Sequence, residues 1–217
     1  MSEVLALAPD HSPKTEARRA VILDAAESVF TRKGFEVATM QDVAAACSMS
    51  AGNLYRYFPS KSAIISGLVE RDRAGMASEF VELSKQPDQL EGFERLGRAY
   101  IRDEVSRKAP LTLEIWAAAS RQPELRGHCI AMENAITAHM REFLSRTAAQ
   151  GNMASGVDPD LVTHLVIALV QAMFHDAVMK PGHDIERDMD ILFATVRAAL
   201  AGHIKIEPPH NGEPKGE

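Results

Sequence analysis

Cysteine is scarce in this chain, because only Cys47 and Cys129 occur among its 217 residues. Two thiols are too few for the disulfide framework of a small secreted protein or for a cysteine-based metal cluster. We therefore expect a reducing compartment, the cytoplasm. The two cysteines fall in separate predicted domains, so we expect neither a disulfide within one chain nor a redox sensor.

Long apolar runs are lacking as well. The longest uninterrupted run spans residues 165–170, whereas a membrane-spanning helix needs about 18 apolar residues. The N-terminal segment carries Glu3 where a secretory signal would carry positive charge. The sequence therefore predicts neither a membrane span nor a secretory signal.

Sequence motifs of catalysis are missing. The chain has no HExxH, CxxC or GxSxG motif and no glycine-rich phosphate loop. Its eight histidines include two pairs eleven residues apart, His128 with His139 and His164 with His175, but neither pair has the i,i+4 spacing of a helical zinc site. We predict no enzyme activity, no cofactor and no metal site.

Strand patterns and internal repeats are absent too, and the composition favours helices. Aromatic residues make up 6% of the chain, while Ala, Leu and Met, which keep most of their side-chain freedom in a helix, abound. We predict an all-α fold, with helices at about 17–33, 40–46, 50–57, 61–84, 88–107, 110–120, 123–150, 158–179 and 184–204. The predicted organisation is a flexible N-terminal arm (1–16), a small first helical domain (17–62), a larger second helical domain (63–204) and a disordered tail (205–217).

Acidic residues are missing from one segment of an otherwise acidic chain. The net charge is −6, yet no Asp or Glu occurs between Val43 and Val69. Residues 14–65 hold seven basic and five acidic side chains, which gives this segment +2 and leaves −8 for the rest. A small basic head on an acidic body is typical of a nucleic-acid reader with a second domain.

The helices of this head have helix-turn-helix spacing. Thr39 and Asp42 can form a capping box for a short helix, and Ser50 can cap the next helix after a four-residue turn. Pro59 and Ser60 then break the chain before a fourth helix starts at Lys61. Short helices joined by such a turn place the second of them in the major groove of DNA.

The segment TMQDVAAACSMSAGNLYRYFPSKSAI, residues 39–64, resembles the TetR family of bacterial transcriptional regulators. The resemblance covers about fifty residues, from Arg18 to Val69, and the rest of the chain matches the family only in length and helical character. Two positions depart from the family pattern. Ser48 stands in the turn where glycine is usual, and Ala51 stands where Lys or Arg is common, so one potential DNA contact is missing.

The residues around the third helix suit contacts with DNA. Asn53 can make a bidentate contact with adenine, and Arg56 can reach guanine or a phosphate. Arg18 and Arg19, beside the arm, could contact phosphates or the minor groove, whereas Leu54, Phe58 and Ile64 are expected in the core and Tyr55 could be a packing residue. The predicted DNA-binding residues are Thr39, Ser50, Ala51, Gly52, Asn53, Tyr55, Arg56, Tyr57 and Lys61.

Residues 161–179 are apolar on nearly every face, and the following helix carries an apolar stripe. Two such helices from each subunit would make a four-helix interface; alternatively, 161–179 is the central core helix of a monomer. The resemblance implies a homodimer on a palindromic operator. The predicted interface residues are Leu165, Leu169, Met173, Ile185, Met189, Leu192, Val196 and Leu200.

By this resemblance, 17–62 is the DNA-binding domain and 63–204 is the regulatory and dimerisation domain. The resemblance also implies a small-molecule pocket in the second domain and a repressor that the ligand releases from DNA by shifting a population of conformers. Aromatic and sulfur-containing residues at helical spacing could line it, although such stripes also form ordinary cores. The alternative function is a helical partner-binding or ligand-binding module with weakened DNA binding. The candidate pocket residues are Phe93, Tyr100, Trp116, Cys129, Met132, Ile136, Met173 and Phe174.

Overall fold

The computed structural model describes residues 12–204, and within that range it contains α-helices and no strand. The all-α prediction is confirmed. The arm expected at the N-terminus, up to residue 11, and the tail expected at 205–217 lie outside the described residues. The helices are α1 (Pro13–Lys33), α2 (Met40–Ala46), α3 (Ala51–Tyr57), α4 (Lys61–Ser84), α5 (Gln89–Ala119), α6 (Pro123–Ala149), α7 (Pro159–Met179) and α8 (Ile185–Leu200).

Helix α1 begins at Pro13, four residues before the apolar stripe that starts at Ala17. The Ser12 side chain accepts a hydrogen bond from the Thr15 N–H, and Pro13 occupies the first helical position, where a missing N–H costs nothing. The residues expected to end the arm, 13–16, are therefore helical. Gly34 closes the helix with a positive φ of 84° and donates its N–H to the Phe30 carbonyl at 2.8 Å.

Helix α5 is continuous where the sequence predicted a break between residues 107 and 110. Pro110 lies inside the helix and has no N–H to donate to the carbonyl four residues earlier. Ala109 and Leu111, on either side of the proline, are both buried. Burial of these neighbours offsets the hydrogen bond lost at the proline. The predicted break is therefore wrong, because the local sequence shows the proline but not this burial.

The chain divides into two compact units. Unit 1 comprises the described residues up to Ala74 together with Pro110–Met132. Its core is built around fully buried side chains from α1 to α4, and the Phe30 and Phe35 rings pack edge to face at 5.5 Å. Unit 1 thus holds all of the predicted DNA-binding domain and part of α5 and α6. The most deeply buried of these core residues include Ile22, Ala26, Val43, Leu54, Phe58, Ile64 and Ile65.

Unit 2 comprises Gly75–Ala109 and the described residues from Glu133 onward. Phe93 stacks on Phe143 at 4.6 Å and meets the Phe193 ring edge to face at 6.1 Å, so three helices share one aromatic contact. A Cβ at Gly97 would lie 2.9 Å from the Phe193 ring, so the glycine permits close packing of α5 against α8. This core holds α7 and α8 in place.

Helix α7 is long and apolar enough, by length and composition alone, to cross a membrane, although Gln171 interrupts its apolar run. Only 22% of its most apolar window is buried within the chain. Asp158 caps its first turn. A mostly buried core helix meets the same criterion, but this helix is not mostly buried, and its exposed apolar face needs an explanation.

Candidate nucleic-acid interface and regulatory region

The turn between α2 and α3 is a compact one stabilised by backbone hydrogen bonds. The N–H of Cys47 donates to Val43 O at 3.0 Å, that of Ser48 to Ala45 O at 3.1 Å and that of Met49 to Ala44 O at 2.9 Å. Ser48 adopts a φ of 54°, in the left-handed region that favours glycine. The turn therefore demands a glycine-like conformation at the position where the sequence supplies serine.

Helix α3 is anchored on one face and open on the other. Its N-cap, Ser50, accepts a hydrogen bond from the Asn53 N–H at 3.2 Å, and Leu54 is completely buried beneath it. Phe58, at its C-terminal end, is buried as predicted, and so is Ile64 on α4. The exposed face carries four of the predicted DNA-binding residues: Gly52, Asn53, Tyr55 and Arg56.

The remaining predicted DNA-binding residues surround this open face. Ser50 and Thr39 are exposed helix caps, while Ala51 and Tyr57 are half-buried and pack against the unit 1 core. A Cβ at Gly52 would meet no atom within 4 Å. Glycine at 52 is therefore not required by packing within this chain, and its bare backbone is accessible from outside.

Lys61 makes contacts within the protein that the sequence did not indicate. Its Nζ donates hydrogen bonds to Phe35 O at 2.7 Å and Glu36 O at 3.0 Å and lies 4.8 Å from the centre of the Phe35 ring. Glu114 of α5 binds the same loop through a different backbone group, because its carboxylate accepts a hydrogen bond from the Phe35 N–H. Both side chains fix the loop that leads into α2.

Arg18 and Arg19 bind α1 to the two helices of the motif. Arg18 donates to the Cys47 carbonyl at 3.3 Å, at the end of α2, and Arg19 donates to the Tyr57 carbonyl at 2.9 Å, at the end of α3. The Arg19 guanidinium also lies 4.2 Å from the centre of the Phe58 ring. Cations at helix C-termini complement the helix dipole, so these arginines hold the motif together.

The start of α2 is fixed by the predicted capping box. The Asp42 N–H donates to Thr39 Oγ1 at 3.1 Å, and the Asp42 carboxylate accepts the Thr39 N–H at 3.0 Å. A hydrogen bond from Lys33 at 2.6 Å, reinforced by those from Thr39, lowers the pKa of Asp42 from 3.8 to about 2. Asp42 stays ionised at neutral pH and joins the end of α1 to the start of α2.

Comparison with known proteins identifies this arrangement. Residues 22–68 match the family model described as bacterial regulatory proteins of the tetR family, and residues 91–204 match that of the BetI-type transcriptional repressor C-terminal domain. The chain belongs to the TetR family. Members of this family are transcriptional regulators, so the helix-turn-helix of unit 1 is a DNA-binding motif. The family is generally not enzymatic.

Relatives of this TetR-family regulator align over most of its length. The HTH-type transcriptional regulator UidR of Escherichia coli strain K12 is 24% identical over 198 residues, covering 88% of this chain and 95% of UidR. The HTH-type transcriptional regulator YfiR of Bacillus subtilis strain 168 is 31% identical over 147 residues, covering 63% of this chain and 68% of YfiR. The solved SmeT–triclosan complex has a TM-score of 0.73 at 23% identity and covers 93% of this chain and all of that one.

The candidate pocket residues of the TetR-family regulator fall in both units. Trp116, Cys129 and Met132 belong to unit 1, where Cys129 packs against the core and Trp116 is 37% exposed. Five belong to unit 2, where Phe93 and Met173 are buried in the core and the others pack against it. Those five are Phe93, Tyr100, Ile136, Met173 and Phe174.

Unit 2 contains a cleft that none of the predicted pocket residues lines. Its volume is about 100 Å³, and the Phe80 and His139 rings stack at 5.1 Å beside it. The wall combines apolar side chains with the polar side chains of Ser84, Gln89, Glu142 and Arg146, and Glu142 and Arg146 form an ion pair with each other. Neither Phe80 nor His139 is marked as a pocket residue by the sequence, because Phe80 belongs to no spacing motif and the eleven-residue spacing of His139 from His128 indicates no pocket.

The apolar stripe of α8 faces the chain's own core rather than a partner. Met189, Leu192, Val196 and Leu200 are each at most 3% exposed, and Met173 of α7 is buried with them. Ion pairs of Arg98 with Asp190 at 2.8 Å and Arg102 with Glu186 at 2.5 Å bind α8 to α5. These five residues have no surface to offer a second subunit, which corrects the predicted interface; Leu165, Leu169 and Ile185 are half-buried.

The thiols of both cysteines are shielded in unit 1. Cys47 is buried and Cys129 is half-buried, and neither forms a disulfide. Burial raises the pKa of both thiols above the usual value. Since the thiolate is the reactive form, neither cysteine has the environment of a redox sensor.

Proposed function

We propose that this chain is a homodimeric transcriptional repressor that binds a palindromic operator through α3 and is released by a small molecule. The observation that carries the proposal is the open face of α3, where Asn53 and Arg56 are exposed while Leu54 fixes the helix from below. Asparagine and arginine are the side chains best suited to read adenine and guanine edges. Tyr55, 50% exposed, has a hydroxyl that suits a phosphate contact.

The outward faces of α7 and α8 support the homodimer. An exposed stripe on α7 is formed by His164, Ala168, Ala172, His175 and Met179, and a second on α8 includes Ile191 and Ala194. Small residues let helices approach closely, and an apolar helix that is mostly uncovered in one chain gains from a second copy. We propose these stripes as the twofold interface in place of the buried α8 stripe.

The BetI-type repressor match over residues 91–204 supports repression. The SmeT–triclosan complex is a structure of similar fold with a small molecule bound. In this chain the unit 2 cleft is the candidate effector site, where the Phe80 and His139 rings offer aromatic surface to a small, largely apolar molecule, while Arg146 is already paired with Glu142. We propose that the effector favours a conformer with lower operator affinity in a cytoplasmic protein.

The proposal is tested by binding to DNA from the region upstream of the protein's own coding sequence, beside unrelated DNA of equal length, across a salt series. Asn53→Ala should weaken operator binding by about 1–3 kcal/mol, and Arg56→Ala should weaken it too. Asn134→Ala and Arg121→Ala change exposed residues of the same types elsewhere and should leave the affinity unchanged.

The outcomes separate the two functions. Preference for the upstream DNA that Asn53→Ala removes supports the regulator. Absence of binding to either DNA at low salt would favour a helical partner-binding module, an alternative that Ala51 supports by removing one potential DNA contact.

A further inference from the structure

We propose a divalent transition-metal site in unit 2, formed by Asp176, His183 and Asp188. Three different elements supply these residues: the last turn of α7, the α7–α8 loop and the first turns of α8. One ligand atom from each lies within 4.8 Å of both others. Neither the helix-turn-helix motif nor the cleft uses any of them.

The imidazole of His183 is the strongest indication that a cation binds here. Its Nε2 atom is fully buried and has no hydrogen-bond partner among the described residues. The side chain is 11% exposed, and Nε2 lies 3.6 Å from Asp188 Oδ2, beyond hydrogen-bond distance. A buried ring nitrogen without a partner is costly, and a cation between His183 and Asp188 would satisfy it.

The distances suit one metal ion. Ligands of a first-row ion at about 2.0–2.2 Å lie roughly 3–4.4 Å from one another. The 3.6 Å between His183 Nε2 and Asp188 Oδ2 falls within this range. All three ligand atoms lie within 4.8 Å of one another, a few tenths of an ångström above the upper end of the range. Small side-chain rotations would close the site, and water would fill the remaining positions.

The donor set indicates the class of metal. Imidazole with two carboxylates suits Zn²⁺ and similar first-row ions, whereas Ca²⁺ and Mg²⁺ prefer all-oxygen sites. Asp176 already accepts hydrogen bonds from Lys180 Nζ at 2.5 Å and from the His175 ring at 3.0 Å. These bonds leave lone pairs for a metal and orient the carboxylate, as outer-shell partners do in metal sites.

No helical i,i+4 pair and no known motif marks this cluster in the sequence, and the prediction of no metal site reflects this. The spacings of seven and five residues cross a turn, in which the His183 N–H donates to the Lys180 carbonyl at 3.2 Å. Only the folded loop brings the three side chains together.

The test is a titration of the full chain, without a polyhistidine tag, with Co²⁺ followed by its d–d absorption, and competition with Zn²⁺. The wild type should bind one ion per chain, and Zn²⁺ should raise its Tm. Asp188→Asn and His183→Gln should each weaken Co²⁺ binding at least ~10-fold. Lys180→Ala, in the same loop, removes a neighbouring cation and should bind Co²⁺ at least as tightly as the wild type.

Circular dichroism of each variant checks that the fold is kept. Asp188→Asn replaces one partly exposed oxygen by nitrogen and tests the site even if the His183 variant does not fold. Absence of saturable Co²⁺ or Zn²⁺ binding to the wild type would overturn the proposal. So would binding that survives in both ligand variants, or tighter binding of Mg²⁺ or Ca²⁺ than of Zn²⁺.

Discussion

Ser48 is a single residue whose backbone conformation strains the turn between α2 and α3. Its φ of 54° lies in the left-handed region, where a side chain crowds the following carbonyl and costs about 1–2 kcal/mol. The serine is exposed and lies between helices α2 and α3. The strain therefore falls on the turn that sets the geometry of the DNA-reading helix.

Ser48→Gly is expected to raise the free energy of unfolding by about 1 kcal/mol, since glycine adopts this φ without steric cost. Urea denaturation followed by circular dichroism measures the change. Ser48→Ala keeps the Cβ and is the matched control, so it should give no stabilisation. Equal stability of the glycine and alanine variants would mean that the turn is not strained.

The residues of the motif differ in how far the sequence alone could place them. Leu54, Phe58 and Ile64 were assigned to the core from apolar spacing, and the structure buries all three. The partners of Arg18, Arg19 and Lys61 were not predictable, because each donates to backbone carbonyls 25 to 38 residues away. Every peptide offers the same acceptor, so no residue type marks the partner.

At the scale of elements, the loop between α1 and α2 is held by two other helices. Lys61 of α4 binds the carbonyls of Phe35 and Glu36, while Glu114 of α5 accepts the Phe35 N–H. A hydrogen bond to a charged group contributes about 1.5–3 kcal/mol. Within unit 1, α5 is therefore coupled directly to the entry of the DNA-binding motif.

Glu114→Ala should lower the free energy of unfolding by about 1–3 kcal/mol, because the half-buried Phe35 N–H loses its acceptor. Glu114→Gln retains an acceptor oxygen and should lose less. The two variants are compared by urea denaturation, with operator affinity as a second readout. If both variants were as stable as the wild type, the contact would have no role in holding the loop.

The elements also show what periodicity leaves open. The stripe on α8 correctly marked an apolar face, but the same stripe serves equally well for a core or for a partner. Within unit 2 the stripe is buried, and α8 contacts α5 through Phe193 packed at Gly97 and through the Arg98 and Arg102 ion pairs. These contacts join residues about ninety positions apart, beyond the reach of any local pattern.

At the scale of the whole molecule, the uncovered surface of α7 dominates. The helix is apolar around most of its circumference, yet only 22% of its most apolar window is buried within its own chain. Exposed apolar surface of this extent favours association, and a twofold axis would bring α7 and α8 against their copies. A dimer would then carry two α3 helices, one for each half of a palindromic site.

Ala168→Glu and Ile191→Glu are expected to convert the proposed dimer to a monomer, because each would place a charge on the proposed interface and the twofold axis would bring that charge in twice. Sedimentation velocity measures the mass of the particle, and operator affinity should fall with it. Ala138→Glu puts the same charge on an exposed position of α6 and should leave both unchanged. A dimer that survives both interface substitutions would place the twofold contact elsewhere on the chain, and a monomeric wild type would remove the symmetric mode of operator recognition altogether.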